Sequence, residues 1–175
     1  MGSPKPEMPL AGTTFLDRVV DAARPVFEEV VIVGRTATSL RTIVEPPHDD
    51  VAPIFGVAAA LANIGAGRGF VLAVDYPLIT RDLLRYLRSR AEASTAMIVA
   101  PEWNGKVQTL CAAYDASLAP HVAARIAARR YGLLRLIAEA GGEIIAESDI
   151  RARFAGEPLM NVNTPDELEA ARRLL

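Results

Sequence analysis

The chain has 175 residues, 51% hydrophobic and 23% charged, with a formal net charge of −2 and an isoelectric point near 5.7. That composition suits a folded globular protein, excludes the polar, highly charged profile of a disordered chain, and offers no broad positive field to gather nucleic acid. One domain over residues 1–175 is expected, of a size that buries roughly 70% of its unfolded surface.

The opening residues, MGSPKPEMPLAG, carry prolines and charges where a secretion signal needs a continuous apolar core, and no segment reaches the ~20 apolar residues of a membrane span. A cytoplasmic protein with no membrane partner is expected. Met1-Gly2-Ser3 matches a myristoylation signal only superficially and is set aside. Lys5 taken alone reads as a solvated lysine. Residues 15–24 then place Phe15, Leu16, Val19, Val20 and Ala23 on one face at helical spacing, and Pro25 closes the helix. Glu29-Val30-Val31-Ile32-Val33 ends at Gly34 and is predicted as a strand buried on both faces of a parallel sheet.

A second strand over residues 42–45 is followed by a proline-rich loop and an alanine-rich helix over 54–64. Residues 69–74 form a buried strand running directly into Asp75-Tyr76-Pro77, and Thr80 is placed to cap a helix over 81–93. Residues 96–100 and 107–113 predict two strands joined through Glu102-Trp103-Asn104-Gly105, whose Asn-Gly pair accepts positive φ. Helices follow over 117–129 and 133–140, then a strand over 143–146. Thr164, Pro165 and Glu167 make a capping box that opens the last helix. The sum is an α/β fold, a three-layer α/β/α sandwich with a mostly parallel, mixed sheet, and a monomer.

Arg125, Arg129 and Arg130 read as a solvated helix face. Cys111, the sole cysteine, sits in an apolar run and reads as a buried, inert thiol, while His48 and His121 are placed by no recognisable motif. Ligands of an open α/β sheet gather beyond the carboxyl ends of its strands, which is where Asp75 stands. That position suits a Mg2+ ligand and a turn-capping aspartate equally well. Pro77 fixes the exit of its loop. Gly34-Arg35 and Gly56 are candidates for presenting backbone amides to an anion, although neither belongs to a Walker loop or a GxGxxG fingerprint. Lys106 and Gln108 flank the hairpin's second strand, and Asn161 and Asn163 alternate so as to share one face of a strand.

In this order the pieces resemble the molybdenum cofactor guanylyltransferases, the MobA-like proteins, from one end of the chain to the other. Residues 1–5 are similar to the tail of the family's RMGxxK signature, and APIFG at residues 52–56 to its GPLAG segment. VLAVDYPLIT at 71–80 is similar to its strand ending in DxP, KVQTLCAAY at 106–114 to QPLxALY, and NVNTPDEL at 161–168 to NxNTPEDL. The resemblance implies a nucleotide-diphospho-sugar transferase-like fold. The reaction it implies is attack by a molybdopterin phosphate on the α-phosphorus of GTP, giving the dinucleotide cofactor and pyrophosphate.

The roles it implies are Mg2+ binding by Asp75 and phosphate contact by Lys5, the two catalytic groups. Glu45 stands near the nucleoside where the family usually has an aspartate, Gly56 lines the base pocket by its backbone, and Asn161 and Asn163 face the acceptor. GTP and molybdopterin are the implied substrates, and molybdoenzymes or other cofactor-biosynthesis proteins the implied partners. The family's first strand and LAGGxSxR loop have no counterpart within residues 1–175, so an exposed apolar sheet edge is expected. Ala52 and Pro4 also depart from the family's pattern. Two other readings share the fold: a CTP-dependent cytidylyltransferase or other nucleotidyltransferase, and a non-catalytic cofactor-handling module.

Overall fold

The computed structural model describes residues 4–34 and 39–175, so Met1, Gly2, Ser3 and Arg35 lie outside the described residues. A single turn at Lys5–Glu7 leads into a small hairpin of β1 (Pro9–Leu10) and β2 (Thr13–Thr14). Helix α1 (Phe15–Ala23) starts where the Thr14 hydroxyl accepts the Asp17 amide at 3.1 Å and the Asp17 carboxylate accepts the Thr14 amide in return. β3 (Ile32–Val33) and β4 (Thr42–Ile43) pair in parallel and are followed by α2 (Pro53–Asn63) and β5 (Arg68–Leu72). The Thr80 hydroxyl then caps α3 (Arg81–Ala93), as the sequence predicts. β6 (Ile98–Trp103), β7 (Lys106–Val107), β8 (Cys111–Asp115), α4 (Ala119–Ala127), α5 (Leu133–Glu139), β9 (Glu143–Ile145), α6 (Glu147–Arg151) and α7 (Pro165–Arg173) complete the chain.

Among the described residues the main sheet has five strands. β8 lies between β5 and β6 and is antiparallel to both, so β5 and β6 run the same way. β9 joins β6 in parallel, and β7 extends antiparallel beside the far end of β6. The sheet is therefore mixed: three strands share a direction, although most neighbouring pairs are antiparallel. Side chains alternate across it. Val99, Trp103, Cys111 and Ala113 point to the face covered by α1, α3 and α6, whereas Ile98, Ala100, Ala112 and Tyr114 point to the face covered by α2, α4 and α5. Helices on both faces of one sheet make the three-layer α/β arrangement.

Departures from the sequence-based elements have local causes. The apolar run at residues 29–33 forms strand only at Ile32–Val33, because its one strand partner among the described residues is the two-residue β4. The predicted strand over 107–113 divides into β7 and β8. Between them the Gln108 side chain donates to the carbonyls of Trp103 and Lys106, and the Gln108 carbonyl accepts the Cys111 amide, which turns the backbone out of the ladder. Residues 161–163 are not strand. Arg125 is no solvated cation either. Its side chain is 1% exposed, donates to Glu139 and to the Gly132 carbonyl, and thereby ties α4 to the start and end of α5. Cys111 is fully buried, and that burial raises its pKa well above the usual thiol range, which keeps it protonated and inert.

Gly142 is packed too tightly for any larger residue. A Cβ there would lie 2.6 Å from Ile137 Cγ2 and 3.2 and 3.3 Å from the carbonyl oxygens of Ile137 and Ile98. Gly142→Ala is expected to cost about 1–3 kcal/mol of stability in urea unfolding, the range for overpacking a closed site.

Candidate active site

The chain leaves β5 with the Ala73 amide still bonded to the Leu110 carbonyl at 2.7 Å and turns at Asp75. Three anchors fix this turn. The Asp75 carbonyl accepts the Val162 amide at 2.9 Å, the Pro77 carbonyl accepts Arg18 Nε from α1 at 2.8 Å, and the buried Tyr76 donates its hydroxyl to Gln108 Oε1 at 3.0 Å. Burial pushes the Tyr76 hydroxyl well above its usual range, so it remains a neutral donor.

The Asp75 carboxylate itself is left 22% exposed, with Lys5 Nζ 3.0 Å from Oδ1. Lys5 also donates to Asn163 Oδ1, and Asn163 Nδ2 donates to Asn161 Oδ1. The two asparagines meet through this direct bond rather than through a shared strand face. Glu167 supports them from α7, accepting the amides of Asn163 at 2.7 Å and Thr164 at 2.8 Å. Those two amides, that of Asn163 first, hold the Glu167 carboxyl below its usual pKa. Four of the six residues to which the family resemblance assigns roles therefore form one cluster at the end of β5.

Glu45 and Gly56 form a second group. A Cβ on Gly56 would lie 3.1 Å from Glu45 Oε1, a tight contact that the carboxylate would have to relieve by shifting a few tenths of an ångström, so glycine lets the helix backbone approach it closely. His48 supports Glu45 from below: its Nε2 is 3.3 Å from Glu45 Oε2, and its ring stacks on Phe55 at 3.7 Å and 14°. The sequence carries no motif for His48 beyond its three-residue spacing from Glu45. Glu45 and Gly56 line a cleft of about 850 Å³, whose wall also includes Pro6 and Val74, the sequence neighbours of Lys5 and Asp75.

Phe27, Val31, Val33, Phe70 and Leu72, from β5 and from β3 and the segment before it, form part of the cleft's wall. In the antiparallel register with β8, the amides of Gly69 and Val71 face that strand, so those of Phe70 and Leu72 point away from it into the cleft. Among the described residues no strand pairs this edge of β5, which is the exposed apolar edge the sequence leads one to expect. Native protein is accordingly expected to enhance the fluorescence of an apolar dye such as ANS, as an open apolar surface of this extent should.

Among the described residues no group of three or more His, Cys, Asp or Glu side chains is arranged to hold a metal. One carboxylate flanked by amide oxygens does fit a hard cation of the Mg2+ type, which takes one or two carboxylates and completes its shell with water and phosphate oxygens. A protein-only cage for zinc or a softer metal is not what this chemistry offers.

A strand delivering a carboxylate beside a lysine, at the rim of a sheet flanked by helices, sets an oxygen donor for a hard cation next to an ammonium for an anion. Residues 1–144 match the family model of the MobA-like NTP transferase domain. A probable molybdenum cofactor guanylyltransferase of Mycobacterium tuberculosis is 30% identical over 179 residues, covering 97% of this chain and 86% of the relative. The chain belongs to the MobA-like NTP transferase family and is a nucleotidyltransferase. Family members transfer nucleotidyl groups with a divalent metal.

Among solved structures, the molybdopterin-guanine dinucleotide biosynthesis protein A of Archaeoglobus fulgidus superposes with a TM-score of 0.84 at 24% identity, covering 98% of this chain and 90% of that one. A 2-C-methyl-D-erythritol 4-phosphate cytidylyltransferase of Thermus thermophilus gives 0.71 at 15% identity, covering 98% and 93%. These two likenesses establish the shared fold.

Proposed function

We propose that this chain transfers GMP from GTP to molybdopterin, forming molybdopterin guanine dinucleotide and pyrophosphate, with Mg2+ at Asp75. The observation that carries the reading is the convergence of Lys5, Asp75, Asn161 and Asn163 at the carboxyl end of β5. The guanylyltransferase name of the 30% identical relative supports the same substrate. When bound, the metal neutralises the triphosphate and the charge that develops on the leaving pyrophosphate. Asp75 contributes a carboxylate whose direction is set by the Val162, Arg18 and Gln108 anchors of its turn. Lys5 contributes a point charge for phosphate oxygens on a flexible stem. Asn161 and Asn163 offer amide donors and acceptors to the acceptor side.

Glu45 favours guanine over cytosine. A carboxylate accepts two parallel hydrogen bonds, which guanine supplies from its N1–H and 2-amino group, whereas cytosine has an acceptor beside its single amino group. Gly56 keeps the backbone close to that carboxylate. The same reading takes residues 1–175 as one domain acting as a cytoplasmic monomer. Among the described residues no helix is long and apolar enough to cross a membrane.

The test is label transfer from α-³²P-labelled GTP or CTP to molybdopterin in the presence of Mg2+. Transfer from GTP with release of unlabelled pyrophosphate is the expected result. Preferred transfer from CTP would replace this reading with a cytidylyltransferase, and no transfer from either nucleotide would leave a cofactor-handling module.

A further inference from the structure

Lys5 occupies the place a cation would take. Its ammonium lies 3.0 Å from Asp75 Oδ1 and donates to Asn163 Oδ1, whose own amide group is bonded to Asn161. A carboxylate with neighbouring amide oxygens is the hard-oxygen set that Mg2+ or Mn2+ selects. An ammonium and a divalent ion at one carboxylate oxygen repel each other, so the two cannot share it.

The lysine is also built to leave. Its backbone is pinned, since the Lys5 carbonyl accepts the buried Met8's amide at 3.1 Å, while its side chain is 31% exposed on a four-carbon stem. Side-chain torsions alone therefore carry the ammonium away from Asp75, with no movement of the turn.

We propose that Lys5 is an internal counter-ion that holds the metal position at Asp75 in the nucleotide-free protein and yields it when triphosphate oxygens draw the ammonium off. Metal and nucleotide then enter as a pair, and metal alone binds weakly. This rests on the assignment of the metal to Asp75. Removing Lys5 has opposite signs for the two ligands: metal alone binds more tightly, and nucleotide binds more weakly for want of its point charge. A lysine with a merely structural role would weaken both.

The experiment is a titration with Mn2+ alone, followed by electron paramagnetic resonance, on wild-type protein, Lys5→Met, Lys5→Arg, Asp75→Asn and Lys5→Met/Asp75→Asn. Mn2+ is expected to bind Lys5→Met at least tenfold more tightly than wild type, Lys5→Arg like wild type, and the double variant without the gain. Equal affinities for wild type and Lys5→Met overturn the counter-ion role. Asp75 then still stands as the metal ligand if Asp75→Asn weakens Mn2+ binding measured with GTP present. A gain in Lys5→Met that persists in the double variant puts the metal elsewhere and overturns both assignments.

Discussion

Replacing Trp103 with alanine is expected to lower the unfolding free energy by about 3–5 kcal/mol, the range for emptying a core site of an indole. Trp103 is 1% exposed, ends β6, and belongs to the core beneath α1, α3 and α6. Its indole Nε1 donates to Glu157 Oε2 at 3.0 Å, and the Arg151 guanidinium lies 4.1 Å above the ring. Alanine removes the packing, the hydrogen bond and the cation–π contact together. Because Trp103 is the only tryptophan, unfolding is best followed by far-ultraviolet circular dichroism in urea rather than by fluorescence. Trp103→Phe retains most of the volume and should lose clearly less. A loss below about 1 kcal/mol for the alanine variant, typical of an exposed site, would contradict this placement of the ring.

The second large effect is on transfer. Asp75→Asn is expected to reduce Mg2+-dependent nucleotidyl transfer by on the order of 10²-fold or more, as losing one group that stabilises transition-state charge does. The amide keeps the size of the side chain and can still accept from Lys5, but it withdraws the charge proposed to hold the metal. The turn's anchors are the Asp75 carbonyl, the Tyr76 hydroxyl and the Pro77 carbonyl, none of which the substitution touches. Stability should therefore change by no more than ~0.5 kcal/mol. A steep fall in transfer with an unchanged urea midpoint assigns the effect to chemistry. A matching fall in both would instead make Asp75 a structural turn residue.

Elements with local, self-contained signals were legible. The Thr80 cap, the Thr164 capping box and the Asn104-Gly105 turn each place donors, acceptors or positive φ within a few residues, and all three are formed. The β1–β2 hairpin was not legible, because Ala11 adopts φ +51° beside Gly12, a conformation to which alanine is poorly suited. Burial of Arg125 depends on Glu139, fourteen residues away, and the turning of Gln108 depends partly on Tyr76, thirty-two residues away. The meeting of Lys5 with Asn163 spans 158 residues, beyond the reach of any periodicity. Only the resemblance to the family assigned the two residues to one site. Position along β5 indicated Asp75 but left a turn cap and a metal ligand equally open. The lysine at 3.0 Å is what favours an electrostatic role.

The most direct test of the central claim is calorimetric titration of the folded chain and of Asp75→Asn with GTP and with CTP, each in the presence of Mg2+. Selective binding of GTP that is lost in Asp75→Asn is the predicted result. Equal or tighter binding of CTP, or binding of neither nucleotide by the folded chain, would contradict it.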